Sequence, residues 1–551
     1  MNTCFLRFCP NGRLFLFWIV LFFTITKIHS QKNPIEFTAM TWNIWKGGRM
    51  DGDSVGPIKI IDVIKKSGAD IIAMQETYGS GELISKQIGF HFHPRGTNVS
   101  IMSKFPIEED ISVFEEFKCV GAIILLPNNQ KVAFYSIWLP YDGEIWEKGT
   151  RNPNDTPVML AACASSAIDL QSIRVAIEKR LSDKKYNNVP IIIAGDFNSM
   201  SHLDYADIAY DQYKSVVDWP TSHILTDAGY RDSWKETHPA IDRNIDRTWT
   251  PRFPDQEQDR IDYIYYRGSQ LKILETQKLD KHKDGFPSDH AGVVAKFIYQ
   301  VKPTKEKNTK IRIVSYNIRR GLGMDDSTNI YRTAESLKTL NADIIGLQEV
   351  DMGVKRSGNV NQAAILGKQL GMYASFGPFM DYQGGRYGMA ILSRYPMRNV
   401  KKVILPIGNE PRVALVAELI LPNDSTILVV NVHFDWVSDD HFRYDQAQTL
   451  AEYLINKNTP YILLGDFNDE PTSRTLSLFR KIAREIKKPS KNHNTFPSTK
   501  PIKEIDYIFV HPDSRWSNTT CQVILDQITS DHCPILTEIE LYPSNKSVIK
   551  K

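Results

Sequence analysis

Apolar residues fall along this chain in short runs bounded by polar clusters. Residues 191–194 and 462–464 are continuous apolar stretches, the pattern of strands buried on both faces. Apolar runs at 120–126 and 132–137 flank Asn128-Asn129, which predicts a hairpin. Ile58, Ile61 and Ile64 recur at helical spacing. Asp53 or Ser54 can cap that helix, Pro57 lies at its start and Gly68 stops it. Hairpins and strand–helix–strand units thus alternate, which predicts an α/β fold, and the polar blocks are expected at the C-terminal ends of apolar strands.

The run at residues 14–25 is of another kind. Arg7 and Arg13 precede it, and no acidic residue occurs before Glu36. It is shorter than the roughly 20 apolar residues of a membrane span, so a signal peptide over residues 1–30, ending at Ser30, is expected, and with it secretion to the periplasm or the extracellular space. The alternative is an uncleaved N-terminal membrane anchor.

The chain repeats itself. Trp42-Asn43 is matched by Tyr316-Asn317, and Gln75-Glu76 by Gln348-Glu349. Ser103-Lys104-Phe105-Pro106 is matched by Ser393-Arg394-Tyr395-Pro396. Gly195-Asp196-Phe197-Asn198 recurs as Gly465-Asp466-Phe467-Asn468, Ile261-Asp262-Tyr263 as Ile505-Asp506-Tyr507, and Ser288-Asp289-His290 as Ser530-Asp531-His532. The order is the same and the spacing close: 33 residues from Asn43 to Glu76, 32 from Asn317 to Glu349. Two tandem domains are expected, at 36–298 and 310–541, joined by a lysine-rich linker at 299–309 and followed by a tail at 542–551.

Composition agrees with a globular protein: 551 residues, 42% hydrophobic and 24% charged. Without Arg7, Arg13 and Lys27, 64 basic residues face 64 acidic ones. Residues 31–300 carry a net −6 and residues 301–551 a net +6. Neither value is that of a strongly basic polyanion binder. Beyond the first thirty residues four cysteines remain, Cys119, Cys163, Cys521 and Cys533, with no zinc spacing. They can pair within each half or stay as buried thiols.

Each matched set combines hard oxygen donors with imidazole. Carboxylate and amide oxygens suit Mg²⁺ or Mn²⁺. Phosphoester hydrolysis needs a cation on the non-bridging oxygens, a base for water and a donor for developing charge, and this set contains all three. Singly, each block has an ordinary explanation as a strand end or a turn. Six blocks in one order, present twice, do not.

These motifs resemble the endonuclease/exonuclease/phosphatase superfamily over nearly all of residues 36–298 and 310–541. The resemblance implies two tandem four-layered α/β sandwiches and a metal-dependent hydrolase of phosphoric ester bonds. It implies that Asn317 and Glu349 hold the cation with Asp531 nearby, and likewise Asn43, Glu76 and Asp289. Asp466 would orient or deprotonate the attacking water, Asn468 would position the phosphate, and His532, held by Asp506, would contact it. His433 matches a second family histidine. The parallel set in the first half is Asp196, Asn198, His290 and Asp262, but Trp138 stands where His433 would be. Tyr141 or Asp142 can compensate, or Trp138 can form a stacking wall. The implied substrate is a nucleic acid, a phospholipid head group or a small phosphate ester. No obligate protein partner is evident and a monomer is expected. Near-neutral charge weakens the nucleic-acid case. The alternative is a secreted protein that binds a phosphorylated ligand without turnover in one or both modules. Trp249 and Phe496 can line the sites, although core packing is the commoner role. Arg386 can reach a phosphate or, equally, be a solvated arginine. The basic stretch from Arg480 to Lys491 can be a nucleic-acid contact, but a solvated helix face and loop is expected.

Overall fold

The computed structural model describes residues 34–300, 308–422, 425–489 and 491–542. The expected signal peptide, linker residues 301–307 and tail residues 543–551 lie outside the described residues. Among those described, no single helix is long and apolar enough to cross a membrane.

Among the described residues four six-stranded sheets are present, two in each half. In the first half one sheet runs Leu271–Leu279, Gly292–Tyr299, Ile35–Asn43, Ile71–Gln75, Val99–Ser103, His91–Arg95. Its partner runs Ile107–Asp110, Cys119–Leu126, Gln130–Trp138, Ile191–Asp196, Asp262–Arg267, Arg231–Asp232. The second half repeats this topology, with Thr309–Asn317 and Ile344–Met352 central in one sheet and Thr426–His433 and Tyr461–Asp466 central in the other.

Strand alternation builds the layers. Along Ile35–Asn43, Phe37 and Ala39 face the other sheet, where Ala122, Phe134 and Ile192 meet them. Met40 and Trp42 point the other way, onto Ile60 and Ile64 of the helix Val55–Ser67. On the far side the helix Ala164–Arg180 buries Leu170, Ile173 and Ile177 against Ile193 and Tyr265. Helix, sheet, sheet, helix is the four-layered α/β sandwich, and each half contains one. The helix expected from Pro57 runs Val55–Ser67; Ser54 occupies its N-cap position without a side-chain capping bond, and Gly68 ends it in a left-handed conformation. The expected hairpin is also present, with Asn128 and Asn129 both at φ 58° in its turn.

One apolar cluster crosses from half to half. Trp146, Tyr205, Ile208, Tyr213 and Trp219 of the first pack with Tyr316, Leu337, Leu366 and Phe376 of the second in a continuous core. Polar contacts reinforce it: Asn361 donates to the Ile208 carbonyl at 2.7 Å, and Arg386 pairs with Asp207 at 3.0 Å. Arg386 therefore does not reach a phosphate; it lies over the ring of Tyr210 and ties the halves together. The segment after Gly143 contributes to the same core, burying Ile145 and Trp146.

Candidate active sites

Backbone geometry delivers the matched residues to one place in each half. Asn43 ends its strand, Glu76 follows Ile71–Gln75 directly, and Asp196 ends Ile191–Asp196. Asp262 and Asp506 depart from the expected pattern, since each begins a strand rather than ending one. Those strands run antiparallel to their neighbours, so Asp262 lies directly across from Asp196 and Asp506 from Asp466. A strand's start beside a neighbour's end serves the same rim of the sheet.

Glycine permits the close approach. A Cβ on Gly465 would lie 2.0 Å from the carbonyl oxygen of Val432 on the adjacent parallel strand, and one on Gly195 would lie 2.0 Å from that of Ile137. Hence a glycine precedes each site aspartate. Glu76, Asn198, Glu349 and Asn468 all adopt positive φ, at 56°, 45°, 57° and 50°. Non-glycine residues are held there only where the surroundings over-determine them, and such strain gathers at functional sites.

The hydrogen bonds are nearly identical in the two sites. The Asn43 amide donates to Glu76 Oε1 at 3.2 Å and to Asp196 Oδ2 at 3.1 Å. The Asn317 amide does the same to Glu349 and Asp466, at 3.2 and 3.1 Å. The backbone N–H of Asn198 and of Asn468 donates to the aspartate two residues earlier. His290 Nδ1 lies 3.0 Å from Asp262, and His532 Nδ1 3.0 Å from Asp506. Their Nε2 atoms lie 3.8 and 3.6 Å from Asp196 and Asp466. In each half, ligand atoms of the two aspartates and the histidine all lie within 4.8 Å of one another. Ser288 and Ser530 hold the final block in place, each donating to the carbonyl of the site asparagine at 2.7 Å.

Electrostatics divide the roles. Burial, with the charge of Asp506 adding to it, pushes Asp466 up to about 7 against the opposing pull of His532; Asp196 is pushed up to about 7 in the same way, by burial and Asp262. Burial would lower His532, but Asp506 and Asp466 outweigh it and hold the imidazole up at about 10. His290 is raised by the matching pair. His433 goes the other way: burial, Arg412 and His532 hold it well below the usual imidazole range. Arg412 Nη1 lies 3.4 Å from His433 Nδ1, and since a guanidinium only donates, Nδ1 accepts. The proton of neutral His433 is therefore on Nε2, 3.6 Å from Asp466 Oδ2.

The donor set suits a divalent cation. In the first site Asp289 is pushed up to about 6 by burial and by the charge of Glu76, against the pull of His290. Two carboxylates that oppose each other's ionisation are the environment a cation relieves. Asn43 and Asn317 face the carboxylates through nitrogen, with their oxygens accepting from the N–H of Trp45 and Arg319. Glu76 and Asp289, and Glu349 and Asp531, are thus the carboxylates that could supply oxygen donors, and Arg319 lies 3.5 Å from Asp531.

Other expectations were met differently. Trp249 and Phe496 lie against the site histidines, with ring centroids 5.0 and 4.9 Å from His290 and His532, and Trp249 also packs against the core shared by the two halves. Asp142 does not replace the missing imidazole; it accepts from the Ser165 N–H at 2.6 Å, in the first turn of the helix Ala164–Arg180. Tyr141 stands half-exposed near the first site, and its hydroxyl is raised by burial, then by Glu144 and Asp196. In the basic stretch Arg480, Lys481, Lys487 and Lys491 are exposed, as expected of a solvated face, with Arg480 paired to Glu485 at 2.6 Å, while Lys488 is buried against Glu504 at 2.6 Å. All four cysteines are free thiols. Nothing in their local sequence marks Arg412 or Arg319 as site residues; strand register brings Arg412 to His433, while Arg319 is carried in two residues after Asn317.

These paired α/β sandwiches, each gathering carboxylates and a carboxylate-held imidazole at one rim, define a hydrolase of phosphoester bonds. The chain belongs to the endonuclease/exonuclease/phosphatase family, whose sequence model matches residues 40–290 and 314–532. An uncharacterized Caenorhabditis elegans protein, F14F9.5, is 25% identical over 316 residues, covering 52% of this chain and 98% of that one. The uncharacterized protein YbhP of Escherichia coli (strain K12) is 26% identical over 257 residues, covering 43% of this chain and 100% of its own. Among solved structures, the mannosyl-6-phosphatase Bt3783 of Bacteroides thetaiotaomicron is 20% identical, with a TM-score of 0.35 over 42% of this chain and 99% of that one. The catalytic domain of human Nocturnin is 18% identical, with a TM-score of 0.34 over 42% and 97%.

Proposed function

We propose that this chain is a secreted, divalent-metal-dependent phosphoesterase in which both modules hydrolyse phosphoric esters by attack of water. The observation that carries the reading is the convergence on Asp466 Oδ2 of two imidazole Nε2 atoms, each at 3.6 Å. A carboxylate raised to about 7 can take a proton from water at neutral pH. A cationic His532 and a neutral His433 with its N–H on Nε2 can donate to the oxygens on which charge develops. Asn468 Nδ2, already bonded to the Phe434 carbonyl at 3.0 Å, keeps a second N–H for the phosphate. Glu349 and Asp531, or Glu76 and Asp289, would hold the cation, Mg²⁺ or Mn²⁺. Bound there, it supplies positive charge for the non-bridging oxygens. His532 stays oriented because Asp506 occupies its Nδ1.

The test is a substrate panel of nucleic acid, sphingomyelin and sugar phosphate, assayed with magnesium, then EDTA, then restored magnesium. Hydrolysis that stops and returns is expected. Turnover that persists in EDTA removes the metal from the reading, and binding without turnover on every substrate leaves a ligand-binding protein. Secretion is tested separately by sequencing the N-terminus of the exported protein, which should begin near residue 31.

A further inference from the structure

The two sites share their carboxylates and the histidine of the last block but differ at three further wall positions, and these three differences have the same sense. Arg319 follows Asn317-Ile318, and Trp45 follows Asn43-Ile44. His433 pairs in register with Asp466, and Trp138 with Asp196. Arg412 lies two residues before Ala414, which pairs with Val432; Phe117 lies two residues before Cys119, which pairs with Ile137. The side chains meet accordingly. Arg412 contacts His433 at 3.4 Å, while the Phe117 and Trp138 rings meet edge to face at 5.5 Å. Three nitrogen donors of the second site are thus three aromatic rings in the first.

The surroundings extend the contrast. Tyr78 lies 6.4 Å from Phe117, centroid to centroid, and Phe117 is 40% exposed. Arg252, which stacks on Trp45, is paired with Asp51 at 2.8 Å. In the second site Arg412 is almost fully buried, and its Nε has no hydrogen-bond partner although Glu410 holds another nitrogen at 3.0 Å. Arg412 thus places a buried positive charge behind His433, whose Nε2 faces Asp466 and the site.

Phosphate chemistry supplies the reason for such a difference. A phosphomonoester carries nearly two charges at neutral pH and presents three non-bridging oxygens. A phosphodiester carries one charge, presents two, and brings a second ester group that must be housed. Flat rings stack on aromatic side chains, whatever their pattern of hydrogen-bonding groups. Resting on the phosphoesterase reading above, we propose that the first site takes a phosphodiester bearing a flat ring, and the second takes a phosphomonoester. In the first step the water oxygen bonds to phosphorus, the bond from phosphorus to one ester oxygen breaks, and the water's proton ends on the departing alcohol. The product is a monoester, which a second water converts to the remaining alcohol and inorganic phosphate. No oxidant or co-reactant enters either step. The chain would carry two consecutive steps of one degradation.

The experiment uses the full chain with magnesium and two probes, bis(4-nitrophenyl) phosphate and 4-nitrophenyl phosphate. Glu349→Gln is expected to lower the ratio of monoester to diester turnover at least tenfold, so that 4-nitrophenyl phosphate accumulates from the diester. Glu76→Gln is expected to raise that ratio at least tenfold. Ratios that move the same way in both variants, or move less than tenfold in either, overturn the division. A wild type that hydrolyses neither probe overturns the phosphoesterase reading itself. Two further measurements guard against misfolding of the glutamine variants. The double variant Phe117→Arg with Trp138→His is expected to raise monoester turnover at least fivefold in a Glu349→Gln background, and no gain counts against the proposal. Arg412→Phe is expected to weaken inorganic phosphate binding at least tenfold by calorimetry, and unchanged affinity counts against it equally.

Discussion

Replacing Asp506 with asparagine tests how the second site holds its proton. Asp506 and His532 are both buried, with Oδ2 and Nδ1 3.0 Å apart. Unit charges at that distance, in an effective dielectric of about 20, interact by about 5 kcal/mol, or roughly 4 pK units. Asparagine keeps a hydrogen-bonding group of the same shape and removes the charge. His532, held at about 10 in the native protein, should fall to about 6 by that arithmetic. Because the folded value lies above the unfolded one, the pair's contribution to stability is complete below about pH 6.5 and is lost as pH rises through about 10. The variant should lack that contribution. At pH 8 the imidazolium fraction drops about a hundredfold, and at pH 6 only about twofold. The assay is phosphate release between pH 5.5 and 10 in a Glu76→Gln background, which isolates the second site. The alkaline limb of kcat/KM should move from near 10 to near 6, while the acid limb, which in the native protein reports Asp466 raised to about 7, loses the part of that elevation that the Asp506 charge supplies. An alkaline limb that stays near 10, or a loss that is equal at every pH, would refute the assignment of His532 as a cation held by Asp506.

Other predictions follow from the same geometry. Glu76→Gln with Glu349→Gln should abolish turnover without unfolding the protein and should remove the rise in Tm that magnesium gives the wild type, readable by differential scanning; magnesium at a hundred times its Kd stabilises by about 2.7 kcal/mol. Gly465→Ala places a Cβ 2.0 Å from the Val432 carbonyl oxygen; it should shift Asp466 and cut turnover at the second site by more than tenfold, and full activity would show the strand can yield. Leu464, fully buried between the sheets, should cost about 2–5 kcal/mol on truncation to alanine, measured by urea unfolding. Residues 31–300 made alone should bind an apolar dye and aggregate, because Trp146, Tyr205 and Trp219 belong to the core that crosses into the second half.

Periodicity and repetition made much of this protein legible from its residues. The helix ending at Gly68, the hairpin at Asn128-Asn129 and the buried strands at 191–194 and 462–464 are written in patterns a few residues long. The duplicated blocks pointed to the residues that come together, since fourteen polar side chains in matching order leave little room for chance. What local pattern could not carry was anything decided by register or by contact between distant segments. Asp262 and Asp506 reach their histidines from the starts of antiparallel strands, and no sequence period distinguishes that from a strand's end. Arg386, beside the second site in sequence, turns instead to Asp207 of the other half. Arg412 becomes a partner of His433 only because two strands align, and Phe117 meets Trp138 by the same alignment. Side-chain alternation and capping act over a few bonds, so the chain itself determines them. Which donors face a phosphate is settled by strand register and by the shared core, and those exist only once the tertiary structure has formed.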